Sequence, residues 1–382
     1  MAQLQFDQRP ILVFWESTRA CLLACKHCRA EASPQAAPGE MSHEEGKQFI
    51  KSLTDFGRPF PVLIITGGDV LMRDDAFELV QYARELGVPV GLAPSVTPRL
   101  TDANIQRMAD LGVKIISLSL DGATSATHEG IRGVAGHFSQ TVDSLKRLVA
   151  AGFTVQVNTA VMRNNVNELP AIVQILKETG VAIWEVFFLI HVGRGQSEED
   201  LTPQENEEVC HFLYEASAYD LIVRTVEAPF FRRVVAWRKE RGPAFDADAS
   251  EVAARYQLGD TYMNLSTELR ERLGAPISSP RAQSTGTRDG KGIIFVAHDG
   301  TVYPAGFLPY TLGNVREMAL ATLYREHDLL KSIRASQFTG LCGACDYRDM
   351  CGGSRARAFA ASNDPLGSDS ACPYVFQAEY AD

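Results

Sequence analysis

Cys21-Leu22-Leu23-Ala24-Cys25-Lys26-His27-Cys28 sets three thiols at a C-x3-C-x2-C spacing, one ligand short of closing a four-iron cluster. Clusters of the 4Fe–4S type are ordinarily held by four Cys thiolates. Three thiolates leave one iron open, and an open position turns a metal site from a structural tie into a reaction centre. The run just ahead, Ile11-Leu12-Val13-Phe14-Trp15, reads as a strand that delivers the chain into this loop.

Downstream of the loop, short apolar runs alternate with amphipathic stretches. Ser42-His43-Glu44-Glu45 is a capping-box pattern, and Phe49, Ile50 and Leu53 follow at helical spacing. Val62-Leu63-Ile64-Ile65-Thr66 is a second strand, and a helix follows from Asp74 to about Leu86. Pro89–Ala93 is a third strand, Thr101–Leu111 a helix and Val113–Ser119 a fourth strand. Helices near His137–Ala151 and Glu168–Thr179 then alternate with strands at Thr154–Ala160 and Ala182–Leu189. Six strands, each joined to the next by a helix long enough for a right-handed crossover, predict a parallel α/β sheet. The fold class is a partial (β/α)6 TIM-like barrel followed by a small C-terminal domain. In such barrels functional residues sit at the C-terminal ends of strands, where the Cys loop lies.

With 382 residues there is room for two domains, and a net charge of −10 argues against a nucleic-acid partner. No apolar run reaches the ~20 residues that span a bilayer. The stretch Met1–Asp7 lacks the basic and apolar regions of a signal peptide. A cytoplasmic protein without membrane contact is expected. In that setting clustered cysteines are metal ligands rather than disulfides. Two clusters stand out, Cys21, Cys25 and Cys28, then Cys342, Cys345, Cys351 and Cys372, with Cys210 alone in a helical stretch and read as a buried structural thiol.

Polar residues recur where strands end. Gly67-Gly68-Asp69 follows the second strand, and Ser95 and Thr97 follow the third. Ser119-Leu120-Asp121-Gly122, with His128 and Arg132-Gly133, follows the fourth, and Asn158 interrupts the apolar fifth strand. Each has a plain alternative: a turn exploiting glycine, ordinary turn hydroxyls, a core amide bonded within the sheet. Further on, residues 196–201 read as a linker and Thr202–Ala218 as a helix. Glu227-Ala228-Pro229-Phe230-Phe231-Arg232-Arg233 fits either a grip on a flat anion or an amphipathic helix start. Residues 240–290 carry little pattern and are expected to form a mobile loop region.

Near residue 292 the texture changes. Ile293–Val296 and Thr301–Pro304 flank His298-Asp299-Gly300, a hairpin signal. The second cysteine set then spaces as C-x2-C-x5-C-x20-C around Cys351-Gly352-Gly353-Ser354-Arg355-Ala356-Arg357-Ala358. Four thiolates close a cluster with no open iron, and zinc takes the same ligand set.

Together the C-x3-C-x2-C loop, the Gly-Gly-Asp turn, the S-x-D-G…H-x-x-x-R-G run and the cysteine-rich tail resemble the radical S-adenosylmethionine (SAM) enzymes with a SPASM or twitch-like C-terminal domain. The tail, with Val302-Tyr303-Pro304-Ala305-Gly306, is similar to the branch of haem synthases and haem d1 biosynthesis enzymes. Ala305-Gly306 stands where relatives carry a further Cys after Tyr-Pro, so one auxiliary cluster is implied, not two.

The resemblance implies a radical SAM core over 1–200, a helical linker or insert over 201–290, and an auxiliary-cluster domain over 291–382. It makes Cys21, Cys25 and Cys28 ligands of a 4Fe–4S cluster whose open iron binds SAM, and Cys342, Cys345, Cys351 and Cys372 ligands of an auxiliary 4Fe–4S cluster. SAM contacts are implied for Gly67, Gly68 and Asp69 (amino group), Ser119 (carboxylate), Ser95 (methionine or ribose), Asn158 (ribose) and His27 (adenine). Arg132 would hold a carboxylate of cofactor or substrate. The implied activity is reductive cleavage of SAM to a deoxyadenosyl radical and oxidative modification of a substrate. The leading substrate is a tetrapyrrole losing its propionate carboxyls, with Arg132, Arg194, Arg232 or Arg233 as carboxylate partners. The alternatives are a ribosomal-peptide maturase and, outside catalysis, an electron carrier or zinc-stabilised binding module. A flavodoxin or ferredoxin is the implied electron donor.

Overall fold

The computed structural model describes residues 6–374 apart from 197–198, 245–246 and 284–285. The first five residues of the stretch read for a signal peptide, two positions of the predicted linker and four of the 240–290 region lie outside it. Ten strands share one sheet. In chain order they are β1 Leu12–Glu16, β2 Val62–Thr66, β3 Val90–Leu92, β4 Ile115–Ser119, β5 Thr154–Val161, β6 Ile183–Phe188, β7 Ile222–Val226, β8 Ile293–Val296, β9 Thr301–Tyr303 and β10 Gly313–Asn314. Their spatial order is β10-β9-β8-β1-β2-β3-β4-β5-β6-β7.

From β1 to β7 every neighbour is parallel and every crossover carries a helix, as the alternating pattern predicts. Val13, Trp15, Leu63, Ile65, Ile116, Val157 and Trp184 are buried on one face of the sheet, while along β1, β2 and β4 the alternate positions are mostly only half-buried. The result is the expected partial barrel, lengthened on both sides of the six predicted strands. On one side β7 pairs with β6. On the other, β8 pairs in parallel with β1, Leu12 against Ile293 through Trp15 against Val296, and the β8–β9 hairpin continues the sheet antiparallel. The sheet therefore runs through all three predicted segments.

Local signals place the helices. Ser42 and Glu45 form the reciprocal cap of the helix His43–Ser52. The helix Ser125–Arg132, capped by Thr124, is too short for a clear period in sequence, yet it carries His128 and Arg132. The 240–290 region is a correction. It contains the helices Ala249–Tyr256 and Asp260–Leu273, and Tyr262, Leu265, Ser266 and Leu269 of the second are buried. That i, i+3, i+4, i+7 spacing packs it against the helices Leu169–Thr179 and Pro203–Ala216. Cys210 is fully buried in the core, as expected. Among the described residues no helix is long and apolar enough to cross a membrane.

A core helix and a loop respond differently to truncation. Leu265→Ala should cost about 2–5 kcal/mol of unfolding free energy by urea titration, whereas a loop position would change it by only about 0.5 kcal/mol.

Candidate active site at the strand ends

β1 ends in Glu16, and the Cys loop begins five residues on. Backbone hydrogen bonds fasten it to the turn after β2: Gly68 N–H donates to Thr18 O and Asp69 N–H to Ala20 O, both at 2.7 Å. A Cβ on Gly67 would collide with the Thr18 carbonyl oxygen, and one on Gly68 with that of Ala20. The glycine pair is thus required first by this close approach of two backbones. Asp69 is fully buried. Its carboxylate accepts from Leu71 N–H (3.1 Å), Ser95 N–H (3.1 Å) and the Thr97 hydroxyl (2.8 Å). Burial pushes its pKa up against the pull of these donors. The acid expected to meet an amino group is here a bracket between the loops after β2 and β3. Ser95 Oγ in turn donates to Gly68 O (3.1 Å) and lies 3.8 Å from Cys21 Sγ.

Cys21, Cys25 and Cys28 come together in one small cluster with Leu23, Ala32 and Val134, and all are free thiols. Arg132 reaches them from the helix Ser125–Arg132: its Nη1 lies 3.5 Å from Cys25 Sγ, and Nη2 pairs with Asp121 Oδ2 at 2.5 Å. Asp121, at the end of β4, also accepts from Ala160 N–H (2.8 Å) and faces His27 Nε2 at 3.7 Å. Burial, the largest single influence, would raise the Asp121 carboxyl, but Arg132, the two neighbouring histidines and the Ala160 N–H together hold the pKa below the usual range. Burial lowers His27 to about 4, so it is neutral. Arg132, expected to clamp a carboxylate of cofactor or substrate, already holds one belonging to the protein.

A relay of two imidazoles leads away from Asp121, and His137 in it escaped the sequence reading. Asp121 N–H donates to His128 Nδ1 (3.1 Å), His128 Nε2 lies 2.8 Å from His137 Nδ1, and His137 Nε2 lies 3.1 Å from Val96 O. The ends of the chain fix its direction, because an amide must donate and a carbonyl must accept. Each ring is therefore neutral with its proton on Nε2. Burial, reinforced by Arg132, lowers His128 to about 3; burial first, then Arg132, lowers His137 to about 4.

Beside the thiols a polar cavity opens over the strand ends. Four predicted residues, Ser95, Ser119, Arg132 and Asn158, line it, joined by Thr66, Ser117 and His137. Ser117 and Ser119 share one face of β4, a period-two signal visible in sequence. Asn158 Oδ1 is partly engaged, accepting from Gln156 Nε2 at 2.8 Å. Three thiols, one cation and a wall of hydroxyl and amide groups fit an iron–sulfur cluster beside a polar organic cofactor.

The loop's far end is docked twice. Glu16 pairs with Arg29 (2.7 Å) and with His298 (3.1 Å) from the β8–β9 turn. Arg194 N–H donates to Cys28 O (3.1 Å), and Arg194 Nη1 reaches Ala32 O at 3.5 Å, while its Nε and Nη2 are buried without a partner among the described residues. Arg232 and Arg233 are otherwise committed, a correction to their reading as substrate contacts. Arg232 donates to the carbonyls of Thr287 and Met350, and Arg233 makes a bidentate pair with Glu207, both contacts at 2.7 Å.

Cys342, Cys345, Cys351 and Cys372 line one small cavity of their own. Backbone N–H groups of Asp369, Tyr347 and Gly353 lie 3.3–3.4 Å from the sulfurs of Cys342, Cys345 and Cys351. Gly352 and Gly353 both take positive φ (+72° and +65°), and a Cβ on Gly353 would strike Cys342 Sγ. Among the described residues no three His, Cys, Asp or Glu side chains converge tightly enough for a single metal ion. Thiolates that each bind a different iron of a larger cluster have no such need. The chemistry of the donor set fits that cluster.

Residues 15–176 match the family described as Radical SAM superfamily. The AdoMet-dependent heme synthase of Nitratidesulfovibrio vulgaris (strain Hildenborough) is 34% identical over 95% of this chain and 92% of that protein. The AdoMet-dependent heme synthase of Methanosarcina barkeri (strain Fusaro) is 31% identical over 96% of this chain and 97% of its own length. Among solved structures, Streptococcus suis SuiB bound to precursor peptide SuiA superposes with a TM-score of 0.68 at 15% identity, covering 96% of this chain and 76% of that one. At that identity the likeness is one of fold.

The imidazole relay has a consequence for stability. Its pKa values of about 3 and about 4 lie below the 6.5 of a free His, so the unfolded chain binds more protons between those limits. The stabilisation is complete above about pH 6.5 and drains away as pH falls towards 4. Urea unfolding at pH 7 and pH 4.5 should show this loss, and His128→Asn should lose less between the two pH values than the wild type.

Proposed function

The chain belongs to the radical SAM superfamily, and from that premise we propose that it is a haem-synthase-like enzyme, converting propionate side chains of a tetrapyrrole into vinyl groups. Each propionate gives up one hydrogen atom, one electron and CO2. When bound, the three-Cys cluster and SAM supply the one-electron chemistry that starts at a substrate C–H bond. The observation that carries the reading is similarity along nearly the whole chain to proteins named AdoMet-dependent heme synthase.

In this reading Cys21, Cys25 and Cys28 hold the cluster, with Arg132 placing a fixed positive charge beside Cys25. Asp69 sets Ser95, and the Thr66, Ser95, Ser117, Ser119 and Asn158 wall receives SAM. His27, neutral and half-buried beside Asp121, closes the adenine side. Of the four arginines considered for the substrate, Arg194 alone keeps two buried side-chain nitrogens unspent among the described residues, and it sits on the end of the Cys loop. It is the proposed anchor for a propionate, through its planar fork. Cys342, Cys345, Cys351 and Cys372 hold an auxiliary 4Fe–4S cluster that takes up the electron released with CO2. A flavodoxin or ferredoxin would deliver the starting electron.

Anaerobic reconstitution should load about eight irons. With iron-coproporphyrin, SAM and a reductant, mass spectrometry should then find two successive losses of a carboxyl group. Cys25→Ala should abolish SAM cleavage. SAM turnover that leaves the porphyrin intact would return the question to a peptide substrate. Arg194→Gln should raise KM by about 10- to 100-fold, since a hydrogen bond to a charged group is worth about 1.5–3 kcal/mol; an unchanged KM would move the anchor elsewhere.

A further inference from the structure

The helix Phe231–Arg241 has no part in the three-thiol site, yet it brings a permanent charge to the other cysteine set. Arg233 Nη2 lies 4.0 Å from Cys372 Sγ, and the side chain lines the cavity walled by the four thiols. It is held rigidly. Both Nη atoms are bound by Glu207 at 2.7 Å, and the guanidinium stacks 4.3 Å from the Trp237 ring centre and 5.0 Å from that of Tyr374. Its side chain is 2% exposed and that of Glu207 9%. Water screens such buried charges little, and a guanidinium stays charged.

We propose that Arg233 and Glu207 together set the reduction potential of the auxiliary cluster, the arginine raising it and the glutamate limiting the rise. The inference rests on the assignment of that cluster to Cys342, Cys345, Cys351 and Cys372. Potentials of such clusters are governed by net charge, hydrogen bonds to sulfur and solvent exposure. A four-iron cluster with four thiolates is already anionic, and the added electron makes it more so. A fixed cation beside Cys372 stabilises the reduced form more than the oxidised one, and a fixed anion does the reverse. Glu207 comes from the helix Pro203–Ala216, so the potential depends on how two helices of the 201–290 segment meet.

The competing account is an ordinary buried salt bridge that ties these helices together. Such a bridge is damaged by loss of either partner, and both losses act in one direction. Charge tuning has opposite signs for the two partners.

The experiment uses the full chain with Cys21, Cys25 and Cys28 changed to Ala, so that only the auxiliary site can load iron. Redox titration is followed by electron paramagnetic resonance. Arg233→Gln should make reduction about tenfold less favourable, a fall of about 59 mV for a one-electron couple. Glu207→Gln should raise the midpoint, and Arg233→Lys should leave it nearer the parent than Arg233→Gln does. Shifts of the same sign, or none, would overturn the proposal. If Arg233→Gln does not load iron, a rise in Glu207→Gln with little change in Arg233→Lys still supports tuning, and a fall or no change in Glu207→Gln overturns it. Absence of any reducible iron signal in the parent would instead remove the cluster assignment, and the inference with it.

Discussion

Two backbone hydrogen bonds, from Gly68 to Thr18 and from Asp69 to Ala20, hold the site together. They bind the Cys loop to the neighbouring strand end at a distance that only glycine permits. The Asp69 carboxylate then carries the constraint across to Ser95 and Thr97 after β3. Three loops from three adjacent strands are thereby fixed before any cofactor arrives. Much of the preorganisation is main chain, which explains why so short a sequence motif can specify so much.

Buried arginine is the second recurring device. Arg132 joins Asp121 to a cysteine of the first set, and Arg233 joins Glu207 to a cysteine of the second. In each case a carboxylate fixes the fork and partly offsets its charge, which makes burial tolerable. Arg194 departs from this pattern: two of its nitrogens are buried and unspent among the described residues.

What the sequence revealed followed the range of the signal. The cysteine spacings, the strand–helix alternation and the hydroxyls at strand ends are local patterns, and each appears where it was expected. The partners of Arg132 and Arg233 were not legible, because the helix Ser125–Arg132 must fold back on the end of β4 to meet Asp121, and two helices must pack to join Arg233 to Glu207, which no local pattern encodes. His137 was hidden for the same reason: its role comes from His128 on one side and the Val96 carbonyl on the other. The helix Asp260–Leu273 is a different failure, since its periodicity was in plain view but lay beside unpatterned residues. The pairing of β8 with β1 joins the two ends of the chain, and nothing nearby in sequence announces it.

That pairing also orders events in time. The first strand of the sheet has one edge covered by β2 early in synthesis, but its other edge waits for Ile293 and its neighbours. Until they emerge, a growing chain carries an unpaired strand edge beside the loop that bears its first cysteine set. Contacts of such long sequence separation form slowly and leave edges open to mispairing. Glu16, at the end of that strand, gains His298 only at the same late moment. Both the edge of β1 and the far end of the Cys loop are therefore completed only once residues 293–298 have been made.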